Sequence, residues 1–476
     1  MCAQSDATAF LQPTGTEYAP DMNHAPEAMT PSRPQVLYLV HRVPYPPNRG
    51  DRIRSFRILD YLAQHADVHL AFLDFQPTPP ETLEALNQRC RRVAVMRVPR
   101  LLRLARGALS LAAGKTATEG FFGSPALCRI IERWAADTDF DAVIAFCSSM
   151  FQYARLPALA GKPLVVDLVD VDSQKWFDYA AQSAGLRRWL YRIEGRRLRQ
   201  LEIAVARQAK AVLVVTEAEA QLYRSFCPDA PLHVMPNGVA ADYSHFEGGT
   251  ASGHAARSHA ERCVFVGALD YQANVDGLRW FCTEVWPEVH RRRPQAAFLI
   301  VGSNPVPAVS TLATLPGVQL LADVPDVRPY LASAAVVLAP LRIARGIQNK
   351  VLQGLAMGKA VLASPQAIEG LAVQPDVHLL QASTPQQWVE AIFRLLDDPE
   401  LRARLGHAGR DYTQQHHRWE DHLRVLGRLL GWEGRNDTHH HRSAPAAPQH
   451  VAQSPAQGGT KRASAVAAIP ENTQNT

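Results

Sequence analysis

The chain has 476 residues, 47% of them hydrophobic, with 50 Lys and Arg set against 45 Asp and Glu and a formal net charge of +5. That is enough apolar material for two α/β cores, and so mild a charge excess does not call for nucleic acid as a partner. The seven cysteines are scattered without Cys-x-x-Cys spacing, which argues against zinc or a redox dithiol and fits buried free thiols in a reducing compartment.

In chain order, residues 1–34 are polar and rich in Pro and Ala, and a disordered tail is expected there. They lack a basic region followed by an apolar core, and no apolar run in the chain is long enough to span a bilayer. A cytoplasmic protein is expected. Short apolar runs at 36–40, 68–75, 92–98, 142–146, 164–169 and 211–216 read as buried strands, with helical patterns such as 52–64 and 187–208 between them. Strands alternating with helices imply a mostly parallel, doubly wound sheet, assigned to a first domain at 35–236. Residues 237–260 read as a linker, opening on Asn237-Gly238-Val239 and continuing through a Gly/Ser/His/Ala-rich stretch. A second α/β domain is expected at 261–414, with strands at 262–267, 297–302, 318–321, 334–339 and 360–363. Within 415–432 an amphipathic helix carries Trp419, Leu423, Leu426 and Leu430 on one face. Residues 433–476, rich in Ala, Pro, Gln, Ser and Thr, are expected to be disordered, and His439, His440 and His441 there are read as incidental. Neither first strand is followed by Gly-x-Gly-x-x-Gly, which argues against a dinucleotide oxidoreductase.

Ligands of such sheets bind beyond the carboxyl ends of the strands, so two facing sheets make a cleft. The most informative stretch runs from Pro340 to Ser364. A strand enters a loop carrying Arg342, Arg345, Gly346 and Ile347, and a helix then opens on Asn349-Lys350 and ends at Gly358. Cations at a strand end and a helix N-terminus point to an anion site; the alternative is a solvated loop with surface arginines. After the first strand, prolines stiffen the segment from His41 to Arg54; Gly50 is expected to allow close backbone approach and Asp51 to cap the following helix. A third candidate loop holds Asp167, Asp170, Asp172 and Lys175. Along 97–111, Leu101, Ala105, Ala108 and Ala112 fall on one helical face and Arg103, Arg106 and Ser110 on the other. Such a helix either lies on an anionic membrane or packs its apolar side inward and solvates its arginines. Arg188, Arg192, Arg196 and Arg199 add basic charge further on.

The tract Gly346-Ile-Gln-Asn-Lys350-Val-Leu followed by Ala356-Met-Gly-Lys-Ala-Val-Leu-Ala resembles the nucleotide-sugar signature of retaining glycosyltransferases with the GT-B fold, the family 4 group. It is similar to a branch of sugar transferases from bacterial exopolysaccharide clusters, including those associated with exosortase/PEP-CTERM systems, and the likeness covers roughly 35–430. The resemblance implies two Rossmann-like domains facing across a cleft, the first on the acceptor side, the second holding a nucleotide-sugar donor, and a terminal helix crossing back onto the first. It implies transfer of a sugar from a nucleotide diphosphate to a hydroxyl of an exopolysaccharide or lipid-linked glycan, with retained configuration, at the inner face of the membrane and with peripheral membrane contact. No cofactor and no metal are implied, although Asp170-Val-Asp172 spells the Asp-x-Asp that holds a metal in the other main transferase fold.

Carried over residue by residue, the resemblance makes Arg345, Lys350 and Asp170 the catalytic candidates, with Asp172 the second candidate for the position where relatives touch the donor sugar through a His or Asp. Gly50 and Asp51 stand where relatives place a glycine loop, often with two glycines. Gly267 opens the donor loop, where Ala268 replaces a frequent Arg, so that Arg342, Arg345 or Lys350 must supply the charge. Gly302 and Ser303 would let the nucleotide approach, and Val324 stands where relatives cradle the base. In the Glu-x7-Glu positions of many relatives stand Arg345 and Gln353; the amide replaces a charge-assisted ribose bond by a neutral one. That departure also leaves open a catalytically weakened homologue that binds nucleotide sugar as a partner in an assembly.

Overall fold

The computed structural model describes residues 15–18, 33–246 and 261–432. Most of the two tails and of the linker expected from the sequence lie outside these residues. Fourteen strands form two sheets among the described residues. The first contains β1 (Gly15–Tyr18), β2 (Gln35–Val40), β3 (Asp67–Asp74), β4 (Arg92–Arg97), β5 (Ala142–Phe146), β6 (Leu164–Val169), β7 (Ala211–Val214) and β8 (Leu232–Val234). The second contains β9 (Arg262–Val266), β10 (Ala297–Gly302), β11 (Val318–Ala322), β12 (Val336–Ala339), β13 (Ala360–Ala363) and β14 (Leu380–Gln381).

The strands read as unbroken apolar runs because helices cover both faces of a parallel sheet; every residue from Val36 to Val40 is fully buried. The first sheet runs β1-β4-β3-β2-β5-β6-β7-β8, parallel except for β1, which joins β4 antiparallel and so places a strand inside the expected N-terminal tail. The second runs β11-β10-β9-β12-β13-β14, parallel throughout. Strand order reverses between β2 and β5 and between β9 and β12, and crevices open at such points beyond the carboxyl ends.

The helices that carry the argument are α1 (Gly50–His65), α2 (Arg100–Ala112), α3 (Asp172–Ala181), α4 (Gly185–Gln208), α5 (Glu217–Arg224), α6 (Gln272–Glu284), α7 (Asn349–Ala356), α8 (Pro399–His416) and α9 (Trp419–Leu430). α9 follows the second domain yet lies on α1 of the first. It buries Trp419, Leu423 and Leu426, each worth roughly 1.5–3 kcal/mol relative to exposure. Gly427 permits the approach, since a Cβ there would meet the Tyr61 hydroxyl at 2.5 Å. The Trp432 indole then stacks on His65, ring centres 5.6 Å apart.

One buried polar junction ties the domains together. Arg54, 1% exposed on α1, donates from Nε and Nη2 to the two carboxylate oxygens of Asp167 at 2.7 and 3.0 Å. Its Nη1 reaches the Met235 carbonyl (2.8 Å) and Asn237 Oδ1 (2.9 Å) where the chain leaves the first domain. The Asn237 carbonyl accepts from His417 Nδ1 at 3.0 Å, and His417 Nε2 accepts from the Tyr412 hydroxyl, also at 3.0 Å. Burial lowers the His417 pKa to about 4, so the ring is neutral near pH 7, with one nitrogen donating and the other accepting.

Breaking a buried pair from one side strands a charge. Arg54→Ala is therefore expected to lower unfolding stability by about 3–5 kcal/mol, measured by urea denaturation. A loss under about 1 kcal/mol would mean that the junction does not depend on this pair.

Candidate active site

The cleft lies between the carboxyl ends of the two sheets, and the backbone is strained along its rim. Among the described residues five non-glycines have positive φ, and four of them, Cys147 (72°), Val169 (68°), Asn304 (54°) and Asp323 (53°), stand at or just after the ends of β5, β6, β10 and β11. Val169 is the costliest, because its branched Cβ is least tolerated there. It is held by Asp167, whose Oδ1 accepts from the Val169 amide at 3.2 Å, and the pairing of β6 with β7 shifts register at the same place. The kink carries Asp170 to the cleft, opposite Gly346 of the second domain.

Gly346 has φ +63°, and a Cβ would stand 2.7 Å from Asp170 Oδ1 and 3.1 Å from Val215 Cγ1, so the position needs glycine on both counts. Asp170 Oδ1 has no hydrogen-bond partner. Burial first, and then the charge of Glu219, push the Asp170 carboxyl well above the usual carboxylate range. The shift favours the protonated acid, whose hydroxyl can donate a hydrogen bond into the cleft. The Asp172 carboxylate accepts from the Ser148 hydroxyl at 2.7 Å. Among the described residues no group of three or more His, Cys, Asp or Glu is placed to hold a metal ion.

Arg342, Arg345 and Lys350, expected to gather at a strand end and a helix N-terminus, take three different partners. Arg342 is 56% exposed, 3.7 Å from Asp276 on α6. Arg345 reaches across the cleft to Asp178 on α3 at 2.6 Å and to Glu219 on α5 at 3.3 Å. Lys350 is buried in the first turn of α7, its ammonium 5.5 Å from the centre of the Phe265 ring and 3.4 Å from Gln348 Oε1. Burial lowers its pKa to about 8. An ammonium held this weakly at a helix N-terminus gains most from an arriving anion. Gln353, one turn on, donates to the Tyr243 hydroxyl at 3.0 Å.

The glycines of the second sheet answer to each other. A Cβ on Gly302 would stand 1.7 Å from the Gly267 carbonyl oxygen, and one on Gly267 would stand 2.9 Å from Asn274 Nδ2. Gly302 is thus required by the neighbouring turn, whether or not a ligand approaches, and the Ser303 carbonyl is taken by the Leu269 amide at 2.8 Å. Val324 is half-buried at the core margin after β11, and Ile347 is 2% exposed. Asp323 serves the turn, accepting from the Asn304 amide at 2.9 Å.

On the first-domain side α1 begins at Gly50, so Asp51 stands inside the helix rather than at the cap position, a correction to the sequence reading, and its Oδ1 accepts from the Arg52 amide of the first turn at 3.0 Å; the residue before the helix, Arg49, makes no side-chain cap. Asp51 instead sits 3.6 Å from His41 Nε2 and 3.8 Å from Arg42 Nη1. Burial opposes its charge, but His41, Arg42 and Arg49 outweigh that and hold the carboxyl well below the usual range. His41 is 1% exposed and stacked on Phe146, and burial lowers its pKa. Arg49 crosses the cleft to Asp270 at 3.4 Å. A cavity of about 610 Å³ borders the junction between α8 and the start of α5; Ile347 lines it, but Lys350, Arg345 and Asp170 do not.

Asp178, Glu219, Arg49 and Arg54 were not singled out from sequence. Thr216 caps α5 by accepting from the Glu219 amide at 3.2 Å, and the Glu219 carboxylate goes to the Val171 amide (2.7 Å) and to Arg345.

Residues 54–238 match the family model described as glycosyl transferase 4-like domain, and residues 260–398 the model described as glycosyl transferases group 1. A curated relative, glycosyltransferase 1 domain-containing protein 1 of Xenopus tropicalis, is 23% identical over 237 residues, 46% of this chain and 66% of that protein, so the match spans just under two thirds of the relative. Among solved structures, HepE of Anabaena with UDP-glucose superposes with a TM-score of 0.61 at 14% identity, covering 83% of this chain and 99% of that one. The sucrose-phosphate synthase of Thermosynechococcus elongatus gives 0.60 at 16%, covering 84% and 98%. WaaG, a glycosyltransferase involved in lipopolysaccharide biosynthesis, gives 0.60 at 17%, covering 83% and 100%. At these identities the likeness establishes the GT-B architecture, two Rossmann-like domains across a cleft.

Gly346→Ala must place a side chain in left-handed backbone and against Asp170. It is expected to lower unfolding stability by about 1–2 kcal/mol from the backbone alone. An unchanged urea midpoint would show that the loop relaxes away from the first domain.

Proposed function

Since the chain is a glycosyltransferase built of a 4-like domain followed by a group 1 domain, we propose that it moves a sugar from a nucleotide diphosphate to a hydroxyl of an exopolysaccharide or lipid-linked glycan, with retention, in the cytoplasm at the inner face of the membrane. The observation that carries the donor reading is Lys350, a buried ammonium with weakened proton affinity in the first turn of α7. A diphosphate arriving there restores its full charge, and the α7 amides add their dipole. Arg345 leaves Asp178 and Glu219 to meet the leaving group as negative charge grows on it. Gln353 and Tyr243 face the ribose, Gly267, Ser303 and Val324 border the nucleotide, and Arg342 at the rim steers it inward.

Asp170 supports the retaining course. A carboxyl whose proton is held more tightly through burial and Glu219 is a weakened nucleophile, and in its protonated form it donates a hydrogen bond to a sugar hydroxyl. The departing phosphate oxygen then takes the acceptor's proton, and no carboxylate of the protein need form a bond to the sugar. Gly50 and Asp51 belong to the acceptor wall, and Asp172 holds Ser148 beneath it. The similarity of 346–363 to exopolysaccharide transferases supports that acceptor class, and the UDP-glucose bound to HepE makes uridine diphosphate sugars the first donors to try.

The reading is tested by incubating the full chain with a panel of nucleotide sugars and bacterial membrane lipid and measuring nucleotide release. Release with one donor is expected, and none with any donor would overturn the transfer. Lys350→Ala and Arg345→Ala are each expected to lower kcat by about two to three powers of ten; near-normal turnover in both would remove the proposed phosphate site.

Donor affinity should also follow the Lys350 proton. The free protein's Lys350 loses its proton near pH 8, whereas a bound diphosphate raises that pKa. Affinity is therefore full below about pH 7 and falls as pH rises through 8. Calorimetric titration from pH 6 to 9.5 checks this, and Lys350→Arg, if it binds donor, should stay flat over the range because guanidinium keeps its charge.

A further inference from the structure

The helix α2 is mounted with its faces reversed. Arg103 is 4% exposed, its guanidinium 4.0 Å from the centre of the Phe75 ring and 4.8 Å from that of Phe121, and Arg106 donates to the Gly123 carbonyl at 2.7 Å. The apolar side points out: Leu101 is 82% and Leu109 69% exposed, with Ala105, Ala108 and Ala112 exposed beside them. The helix cannot roll to bury them. A Cβ on Gly107 would stand 3.3 Å from the Ala117 carbonyl oxygen, and one on Gly120 2.3 Å from the Arg106 carbonyl oxygen, so backbone contact locks its orientation.

A second outward apolar group stands at the start of α4, where Leu186 is 71% and Trp189 57% exposed. These four side chains are most of the exposed large hydrophobics among the described residues. The two helices share one support. The Ala117 and Thr118 amides donate to Glu194 at 2.7 and 2.9 Å, and Arg197 donates to the Lys115 carbonyl at 2.8 Å. Trp189 lies roughly 12 Å of helix before Arg197.

The charge around both groups has one sign. Between Arg97 and Thr118, and again between Gln182 and Ile193, no acidic residue occurs, in a chain whose acids and bases nearly balance. Arg97, Arg100 and Lys115 are exposed on the first stretch, and Arg187, Arg188 and Arg192 on the second.

We propose that the outward sides of α2 and of the first turns of α4 dock the protein on an anionic phospholipid bilayer. Leucines and an indole enter the boundary between headgroups and chains while the arginines and Lys115 meet lipid phosphates. A second copy of the chain would bring the same cations face to face, which disfavours self-association as the cover. Among the described residues no helix is long and apolar enough to cross a membrane. The proposal specifies the membrane contact of the function reading, and the docking measurement needs no sugar.

The test is co-sedimentation of the full chain with vesicles of phosphatidylcholine alone and of phosphatidylcholine with 30–40% phosphatidylglycerol, roughly the charge density at which surface attraction dominates. Binding is expected to the anionic vesicles, at least tenfold weaker to the neutral ones, and reduced by salt. Leu101→Ser with Trp189→Ser, and separately Arg187→Glu with Arg188→Glu, should each lower binding tenfold or more and leave the melting temperature unchanged. Val377→Ser, at a 43% exposed residue of the second domain, should not alter binding. Absent binding, equal binding to both vesicle types, or full binding by both double variants overturns the docking surface. Docking without nucleotide release in the transfer assay would overturn the transferase reading and leave the surface standing.

Discussion

The rest of the molecule hangs on the ion pair between Arg54 and Asp167. Both side chains are out of water, and an ion pair so placed is tolerable only when its remaining hydrogen-bonding capacity is met. Arg54 meets it with the Met235 carbonyl and Asn237, and Asp167 with the Val169 amide. The pair therefore fixes a helix, a strand end and the chain's exit from the first domain together. Through Asn237, His417 and Tyr412 the same network reaches the second domain. The cleft inherits its shape from this point, because Val169 is bent there and Asp170 follows.

Other links across the cleft differ in kind. Arg345 and Asp178 are each about a third exposed, while the other partner of Arg345, Glu219, is 7% exposed, and Arg49, 12% exposed, meets Asp270 at 3.4 Å with the carboxylate 35% exposed. The Arg345–Asp178 pair, with that much water around it, contributes on the order of 0–1 kcal/mol, against several for the buried junction. A ligand that supplies new charge can therefore exchange the outer pairs while the junction at Asn237 stays made. The arrangement is a firm pivot with weak clasps, which suits domains that must part to admit a donor and close to exclude water.

The sheets were legible because period and length suffice for buried parallel strands: β5, β6, β10 and β13 are the apolar runs themselves. β8 and β14 were not, since three residues beside Pro231 and two residues carry no period. Lys350 was legible from strand–loop–helix context. The partners of Arg345 were not, because Asp178 and Glu219 lie more than a hundred residues away in sequence and no local pattern links them to it. For α2, periodicity separated an apolar from a basic side but could not say which turns inward; Phe75 and Phe121 decide that, by accepting a guanidinium on their faces. At Gly302 the neighbouring backbone already requires glycine, a constraint that a sequence pattern does not distinguish from the close approach of a ligand.

The strained residues on the rim bear on how this protein responds to selection. Glycine at Val169 or Cys147 would relax the left-handed backbone, but both side chains are buried in the core, so lost burial and a freer unfolded chain offset the relief. At Asn304 and Asp323 the strain is smaller, because Asn and Asp tolerate this region. A laboratory evolution scheme that rewards heat tolerance alone therefore has little to gain along the rim. Libraries meant to harden this scaffold should leave the ends of β5, β6, β10 and β11 untouched and draw their gains from its solvent-facing helices.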